Sequence, residues 1–201
     1  MRAERAAWRE EFVAIHASRL VLLDESGANT AMDRTYGRAA SGQRVDGPVP
    51  QGHWHVTTLT AAVRLDGLIE AACQASSQAT NALWFVHYIA TCLVPSLRPG
   101  DIVIMDNLSS HKSAEVARLI ESAGAQLRFL PAYSPDLNPI EALFSELKQA
   151  LRSAKARTCA TFIDAMGEAL RSISRQDILG WFAKSGYQAT TSRGTLNQKP
   201  L

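Results

Sequence analysis

The 201-residue sequence is poor in cysteine and has no long hydrophobic run. Its three cysteines, Cys73, Cys92 and Cys159, are far apart and form no CxxC pair, which argues against a disulfide framework or a zinc knuckle. We expect them to be reduced and packed in the interior. The longest apolar stretch, residues 82–94, is too short for a bilayer and includes His87. Glutamates near the N-terminus argue against a signal peptide, so we expect a cytoplasmic protein with no membrane segment.

Charge of one sign and several common catalytic motifs are also lacking. Lysine and arginine total 21 against 19 aspartates and glutamates, which allows a polyanionic partner without requiring one. The motifs GxxxxGK[ST], GxSxG and HExxH are absent, which argues against the P-loop NTPase, serine-hydrolase and zinc-protease chemistries they mark. The length and the 46% hydrophobic content suit one globular domain with a substantial core.

Hydrophobic periodicity predicts mainly strands in the first half of the chain. The predicted elements are an amphipathic helix over 2–15, a buried strand over 19–27, one or two short strands within 34–50, a strand over 53–64 and a returning strand over 68–73. The last two are joined by a hairpin turn at Asp66-Gly67. We expect Trp54 to pack on this sheet rather than to stack on a base.

In the second half, strands and helices alternate. The predicted elements are a buried helix over 80–97, a strand over 101–107, a helix over 113–123, a strand over 126–130, a helix from 139, helices over 161–173 and 175–184, and a loose tail from 190. Asn138 is the expected cap of the helix that begins at Pro139. A meander followed by alternating elements predicts an α/β fold, a mixed β-sheet flanked by helices.

Three acidic residues are the candidate catalytic and metal-binding groups. Asp24 and Asp106 end two apolar strands, and Glu141 lies in the first turn of a helix that follows a third. If the first and fourth strands are neighbours, these carboxylates converge at one sheet edge and repel one another unless a cation lies between them. Oxygen ligands favour Mg²⁺ or Mn²⁺, and two such ions can catalyse in-line phosphoryl displacement.

Each acid also has a purely structural explanation. An aspartate at a strand end commonly forms a turn. Glu141 follows Asn138 by three residues, which is the spacing of a capping box. Taken from the residues alone, both interpretations stay open.

The candidate DNA contacts are polar or basic residues near the second and third acids: Asn107, His111, Lys112, Lys148, Arg152 and Lys155. His111 and Lys112 either contact phosphate or simply open the next helix. Lys148, Arg152 and Lys155 recur at helical spacing, as a phosphate track or as a solvated face.

Three sequence blocks resemble the catalytic blocks of DDE transposases, within the mariner-like superfamily and its bacterial insertion-sequence 630 family. They are LLDESG at 22–27, VIMDN at 103–107 followed by His111-Lys112, and YSPDLNPIE at 133–141. Thirty-four residues separate Asp106 from Glu141, the interval typical of that superfamily. The resemblance extends from about Arg19 to Tyr187.

The resemblance implies a ribonuclease-H-like fold and cut-and-paste DNA transposition. Under it, residues 1–18 form a lead-in helix, 19–187 the catalytic domain and 188–201 a flexible tail. Asp24, Asp106 and Glu141 would hold two Mg²⁺ or Mn²⁺ ions, while no other cofactor is implied. Water would hydrolyse the phosphodiester at the transposon ends, and the freed 3′-hydroxyl would attack target DNA at a TA dinucleotide.

The resemblance also implies partners and a location. Family members usually carry helix-turn-helix domains ahead of the first catalytic strand, whereas about twenty residues precede it here. We therefore expect either a second reading frame joined by frameshifting to an upstream helix-turn-helix frame, or a truncated copy. A homodimer on DNA and a bacterial, nucleoid-associated location follow in the same way. Two alternatives stay open: a ribonuclease-H-like nuclease, and a noncatalytic copy that inhibits transposition.

Overall fold

The structure, a computed structural model, describes residues 2–13, 15–47, 49–77, 81–108 and 111–188. Nearly all of the predicted tail, residues 189–201, lies outside them. No helix within the described ranges is both long and apolar enough to cross a membrane.

The centre of the protein is a six-stranded mixed sheet. Its strands are β1 (Leu20–Asn29), β2 (Val56–Arg64), β3 (Gly67–Leu68), β4 (Gln74–Ser76), β5 (Ile102–Met105) and β6 (Gln126–Phe129). The order is β3-β2-β1-β5-β6, and β4 also pairs with β2. Strand β1 is antiparallel to β2 and parallel to β5, which is parallel to β6. The predicted mixed sheet is confirmed, and β1 and β5, the strands that lead to Asp24 and Asp106, are neighbours at its centre.

Helices cover both faces of the sheet. They are α1 (Arg2–Val13), α2 (Ala82–Tyr88), α3 (Ala114–Ser122), α4 (Ile140–Ala154), α5 (Cys159–Ser172) and α6 (Arg175–Lys184). Side chains of α1, α4, α5 and α6 share one hydrophobic cluster, and those of α2 and α3 share the other.

The central strands are apolar throughout because both of their faces are buried. In β1, Leu20 and Leu22 join the cluster under α4, whereas Val21 and Leu23 join the cluster under α2. All four are at most 1% exposed. Residues of β5 alternate between the two clusters in the same way, so every position of both runs is apolar, which is the pattern that predicts a buried strand.

Three predicted elements differ from the structure. The helix predicted over 80–97 ends at Tyr88 and continues as a π-helical turn over 89–93 and a 3₁₀ turn over 94–96. Thr91 bonds the carbonyl of His87 at 2.8 Å, and Pro95 has no backbone N–H, so both disfavour a regular α-helix there. The strand predicted over 68–73 is interrupted by a 3₁₀ turn between β3 and β4.

The segment predicted to hold short strands, 34–50, contains none among its described residues. Trp54 precedes β2 and is 57% exposed, so the prediction that it packs on the sheet is wrong. Cys73 and Cys92 are partly buried, as predicted, but Cys159 is exposed at the start of α5. The spacing that predicts α5 does not say which face of its first turn contacts the core.

The N-terminal helix α1 is tied to the segment that leads into α4. Trp8 Nε1 donates a hydrogen bond to the hydroxyl of Tyr187 at 3.0 Å, and that hydroxyl donates to the carbonyl of Leu137 at 2.7 Å. Arg5 forms a two-pronged ion pair with Asp136 at 2.6 and 2.9 Å. Helix α1 therefore packs as part of the sheet's helical layer.

Candidate active site

The candidate site lies where β1 and β5 diverge. The parallel pairing ends at Leu22 and Ile104. Asp24 follows Leu22 by two residues, and Asp106 follows Ile104 by two residues. The sequence predicts that Asp24 ends its strand. This prediction is wrong, because β1 continues along β2 to Asn29. The two aspartates nevertheless leave the β1–β5 ladder at the same level.

Asp24, Asp106 and Glu141 line one cleft of about 720 Å³. Its wall also contains Glu25, so four carboxyl groups line the cleft, and no lysine or arginine among the described residues does. Glu141 reaches the cleft because the loop after β6 directs the start of α4 toward the sheet edge. The cleft is therefore strongly acidic.

Asp24 is the most buried of the three acids, with 9% exposure. Its Oδ1 accepts the backbone N–H of Glu25 at 2.7 Å, and its Oδ2 accepts the side-chain N–H of Asn138 at 2.8 Å. Burial, together with the charges of Asp106 and Glu141, raises the pKa of Asp24 to about 7 against the opposing hydrogen bond from the N–H of Glu25. The three acids are thus electrostatically coupled.

Asn138 does not have the capping role predicted from its sequence position. The cap of α4 is Pro139, with no side-chain hydrogen bond, and the first-turn N–H of Glu141 reaches the backbone carbonyl of Asn138 at 3.2 Å. The amide of Asn138 is instead occupied by Asp24. The capping-box interpretation of Glu141 is therefore wrong, and this glutamate has no capping bond to hold it away from the cleft.

Asp106 is held by a buried histidine. Its Oδ1 lies 2.6 Å from Nδ1 of His111 and accepts the N–H of Leu108 at 3.2 Å. The His111 ring stacks on Phe85 at 4.3 Å, and its Nε2 lies 3.9 Å from the carboxylate of Glu25. Burial disfavours the imidazolium, but the bond to Asp106 and the Glu25 carboxylate outweigh it and raise the pKa of His111 to about 9.

The candidate DNA contacts are not gathered at the acids. Of the six, Asn107 lines the cleft and is exposed. His111 is 1% exposed, so the prediction that it contacts phosphate is wrong for this arrangement, because the ring faces Asp106 and Glu25. Lys112 is exposed outside the cleft lining.

The basic residues of α4 also lie outside the cleft lining. Lys148 and Arg152 are half-buried along the helix. Lys155 ends α4 in a left-handed conformation and pairs with Asp33 at 3.2 Å. A continuous phosphate track leading to the acids is not formed by these side chains.

The donors suit a hard divalent cation. Carboxylate and amide oxygens are the ligands that Mg²⁺ and Mn²⁺ prefer, and mutual repulsion among the acids would be relieved by positive charge. Oδ1 of Asn138 is buried, and no described residue offers it a hydrogen bond. Within the described ranges, no three His, Cys, Asp or Glu side chains are close enough together to enclose an ion.

Two further residues of the cleft region were not predicted from sequence. Tyr133 lines the cleft with a left-handed backbone (φ 55°) and an 87% exposed side chain. Arg5 binds the hydroxyl of Ser134 at 2.9 Å in addition to Asp136, although it lies more than 120 residues away in sequence. A tyrosine in a turn and an arginine on an amphipathic helix carry no sequence signal for these positions.

Comparisons with known proteins identify a family profile that matches the sequence and solved structures with a similar fold. A family profile described as "DDE superfamily endonuclease" matches residues 19–163. A search of curated proteins finds no match. Among solved structures, the fold is similar to a Mos1 transposase paired-end complex with the left transposon end, at TM-score 0.74 and 18% identity, over 92% of this chain and 57% of that chain.

Two further structures show the same likeness. The Mos1 mariner paired-end complex with Mn gives TM-score 0.77 at 18% identity, over 92% of this chain and 58% of that one. The catalytic domain of Mos1 mariner transposase gives TM-score 0.68 at 16% identity, over 92% and 86%. The chain spans somewhat more than half the length of the longer Mos1 chains. The ribonuclease-H-like fold predicted from the sequence is confirmed by this likeness.

Proposed function

The chain belongs to the DDE superfamily endonucleases, and on that premise we propose that it is the catalytic part of a DNA transposase. The finer assignment is the mariner-like superfamily and its bacterial insertion-sequence 630 family. The observation that carries the proposal is the acidic cleft lined by Asp24, Asp106 and Glu141, in which burial and the charges of the other two acids raise the pKa of Asp24. The spacing of these acids in the sequence supports it.

In the proposed mechanism, Asp24, Asp106 and Glu141 would hold Mg²⁺ or Mn²⁺, two ions in the DNA complex. Such ions would supply Lewis-acid chemistry at the attacking water and at the leaving oxygen. The chain's own task is to orient the carboxylates. Asn138 and the N–H of Glu25 orient Asp24, and His111 with the N–H of Leu108 orients Asp106.

Glu141 is the least constrained of the three ligands. It is exposed, it lies in the first turn of α4, and it lines the cleft together with the β1 and β5 residues. We propose that Glu141 completes the metal site when the phosphodiester enters the cleft, since Mg²⁺ commonly relies on substrate phosphate oxygens. This accounts for three coupled acids that do not enclose an ion by themselves.

The proposed substrate is duplex DNA. It would be cleaved at the transposon ends, and the freed ends would be joined to target DNA at a TA dinucleotide. Asn107, exposed at the cleft, would contact the DNA backbone, and the exposed ring of Tyr133 would pack on a base or sugar. Lys112, Lys148, Arg152 and Lys155 would add contacts to phosphates beyond the cleft. An upstream-encoded helix-turn-helix domain and a homodimer on DNA are further parts of the proposal.

Nicking of supercoiled plasmid by the full chain at low salt tests this function. We expect nicking in Mn²⁺, none in EDTA, and at least a hundredfold loss in Asp106→Asn. A pre-cut oligonucleotide with a free 3′-hydroxyl should be joined to TA-rich target DNA, which separates a transposase from a nuclease.

Two outcomes would favour the alternatives. Preferred cleavage of the RNA strand in an RNA–DNA hybrid would favour the ribonuclease-H-like nuclease. Absence of metal-dependent cleavage, with DNA binding retained, would favour a noncatalytic inhibitor.

A further inference from the structure

We propose that Asn138 is a positioning residue that sets Asp24 for a divalent cation and leaves its own side-chain oxygen free for the same site. This inference rests on the proposed metal-dependent function. It concerns a residue whose sequence position indicated only a helix cap.

The contact between the two side chains is buried and specific. Asn138 is 4% exposed, and its Nδ2 donates to Oδ2 of Asp24 at 2.8 Å. The other oxygen of Asp24 accepts the N–H of Glu25. The carboxylate is therefore fixed at both of its oxygens, which is a strong constraint on the direction of its remaining lone pairs.

The orientation of the Asn138 amide follows from this contact. Rotating the amide by half a turn would place its oxygen against the carboxylate of Asp24, which is repulsive while Asp24 is ionised. The oxygen Oδ1 is consequently left buried without a hydrogen-bond donor among the described residues. Buried polar atoms are normally satisfied, so this oxygen beside the three acids is available to a cation or to a cation-bound water.

The backbone around Asn138 keeps the side chain in place. Its N–H bonds to the carbonyl of Pro135 at 3.0 Å, and its carbonyl accepts the N–H of Glu141 at 3.2 Å. Pro139 then restricts Asn138 to an extended conformation, observed at φ −112° and ψ 100°. The Asp24–Asn138 bond thus joins β1 to the start of α4, which carries Glu141, and sets the two ligands relative to one another.

The test measures Mn²⁺ binding to the full chain by calorimetry, without DNA, in wild type and Asn138→Ala. We expect at least a tenfold weaker affinity in the variant, the usual effect of losing a group that orients a metal ligand. The matched control is Asn81→Ala, which removes the amide that caps α2 and should change Mn²⁺ affinity less than twofold. Asn138→Leu, close in size to asparagine, serves as a second variant if Asn138→Ala does not fold.

A nicking assay at varied Mn²⁺ adds a readout that a purely structural role would not give. The Mn²⁺ concentration for half-maximal nicking should rise at least tenfold, while the rate at saturating Mn²⁺ returns to within a few-fold of wild type, because all three acids are present. Unchanged Mn²⁺ affinity in a folded Asn138 variant would overturn the inference, as would a wild type that binds no Mn²⁺. Tight Mn²⁺ binding without any DNA cleavage would instead overturn the proposed function.

Discussion

His111 and Asp106 form a buried pair in which Nδ1 and Oδ1 are 2.6 Å apart. The pair is closed on its other side by Phe85, on which the imidazole stacks, and by Glu25. The partly exposed carboxylate of Asp106 is thereby oriented by a histidine that is itself buried. The geometry of the site therefore depends on the residues that orient the acids as well as on the acids.

Replacing His111 by alanine should therefore impair both stability and cleavage. Loss of the buried ring and of its charged hydrogen bond should lower the free energy of unfolding by about 2–4 kcal/mol. Because the Asp106 carboxylate would lose the contact that orients it, Mn²⁺-dependent nicking should fall by about 10–100-fold. Urea unfolding and plasmid nicking measure the two effects, with His87→Ala, on the exposed side of α2, as the control. Nicking at the wild-type rate by a folded His111→Ala would contradict the orienting role.

Asp24 makes the metal-free protein sensitive to pH. Burial raises its pKa to about 7, above the ordinary carboxyl value of about 3.9, so its contribution to stability is present at low pH and is lost as pH rises through 7. In EDTA, Asp24→Asn should become more stable than wild type by an amount that grows by about 2–4 kcal/mol between pH 4.5 and 8.

The structure allows this substitution without a new unpaired donor. The amide of Asn138 can turn so that its orphaned Oδ1 accepts from the introduced asparagine. Urea unfolding at the two pH values measures the difference, and Mn²⁺ should abolish it by stabilising wild type alone. A stability difference that is constant with pH would show that Asp24 has an ordinary pKa.

The sequence predicts the central sheet well because its strands are buried on both faces. Continuous apolar runs such as Leu20–Leu23 and Ile102–Met105 are typical of strands buried on both faces. Because the two strands are adjacent and parallel, Asp24 and Asp106 lie at the same edge of the sheet. The residues that orient the acids are harder to predict. An asparagine three residues before a glutamate suits a capping box and a carboxylate partner equally, and only the packing of β1 against α4 selects between them.

Apolar periodicity misses both local polar features and contacts between distant elements. The π-helical turn after α2 follows from Thr91 and Pro95, which an apolar pattern does not register. The burial of His111 depends on Phe85, which lies 26 positions earlier and meets it only across the fold. Periodicity identifies elements, whereas such contacts depend on how the elements are arranged.

Tyr133 is held in a conformation that favours glycine. A left-handed backbone costs a non-glycine residue about 1–2 kcal/mol, against about 0.5–1 kcal/mol for the greater freedom of glycine in the unfolded chain. Tyr133→Gly should therefore leave stability unchanged or raise it by up to about 1 kcal/mol, as measured by urea unfolding. If the exposed ring packs on DNA, the same variant should bind DNA less tightly, while Tyr133→Phe keeps wild-type affinity. Equal DNA affinity in all three proteins would show that the ring has no such contact.

The ion pair between Arg5 and Asp136 gives a last prediction, on how the N-terminal helix supports the cleft. Arg5 contacts Ser134 and Asp136, and the loop between them leads directly to Asn138. The hydrogen bond from Arg5 lowers the pKa of Asp136, so the stability that this pair contributes is present above the ordinary carboxyl pKa and is lost as pH falls through the lowered value.

Arg5→Met, which keeps the apolar stem, should therefore increase amide hydrogen exchange at Leu137 and Asn138 and reduce Mn²⁺-dependent nicking at pH 7. The stability difference from wild type should vanish in strong acid, where Asp136 is protonated in both proteins. Arg9→Met is the matched control, because Arg9 contacts Asp136 at 3.3 Å and makes no hydrogen bond to another described residue of the loop. Equal exchange in the two variants would mean that α1 contributes packing alone, whereas faster exchange confined to Arg5→Met would show that the helix holds the loop on which Asn138 and Glu141 depend.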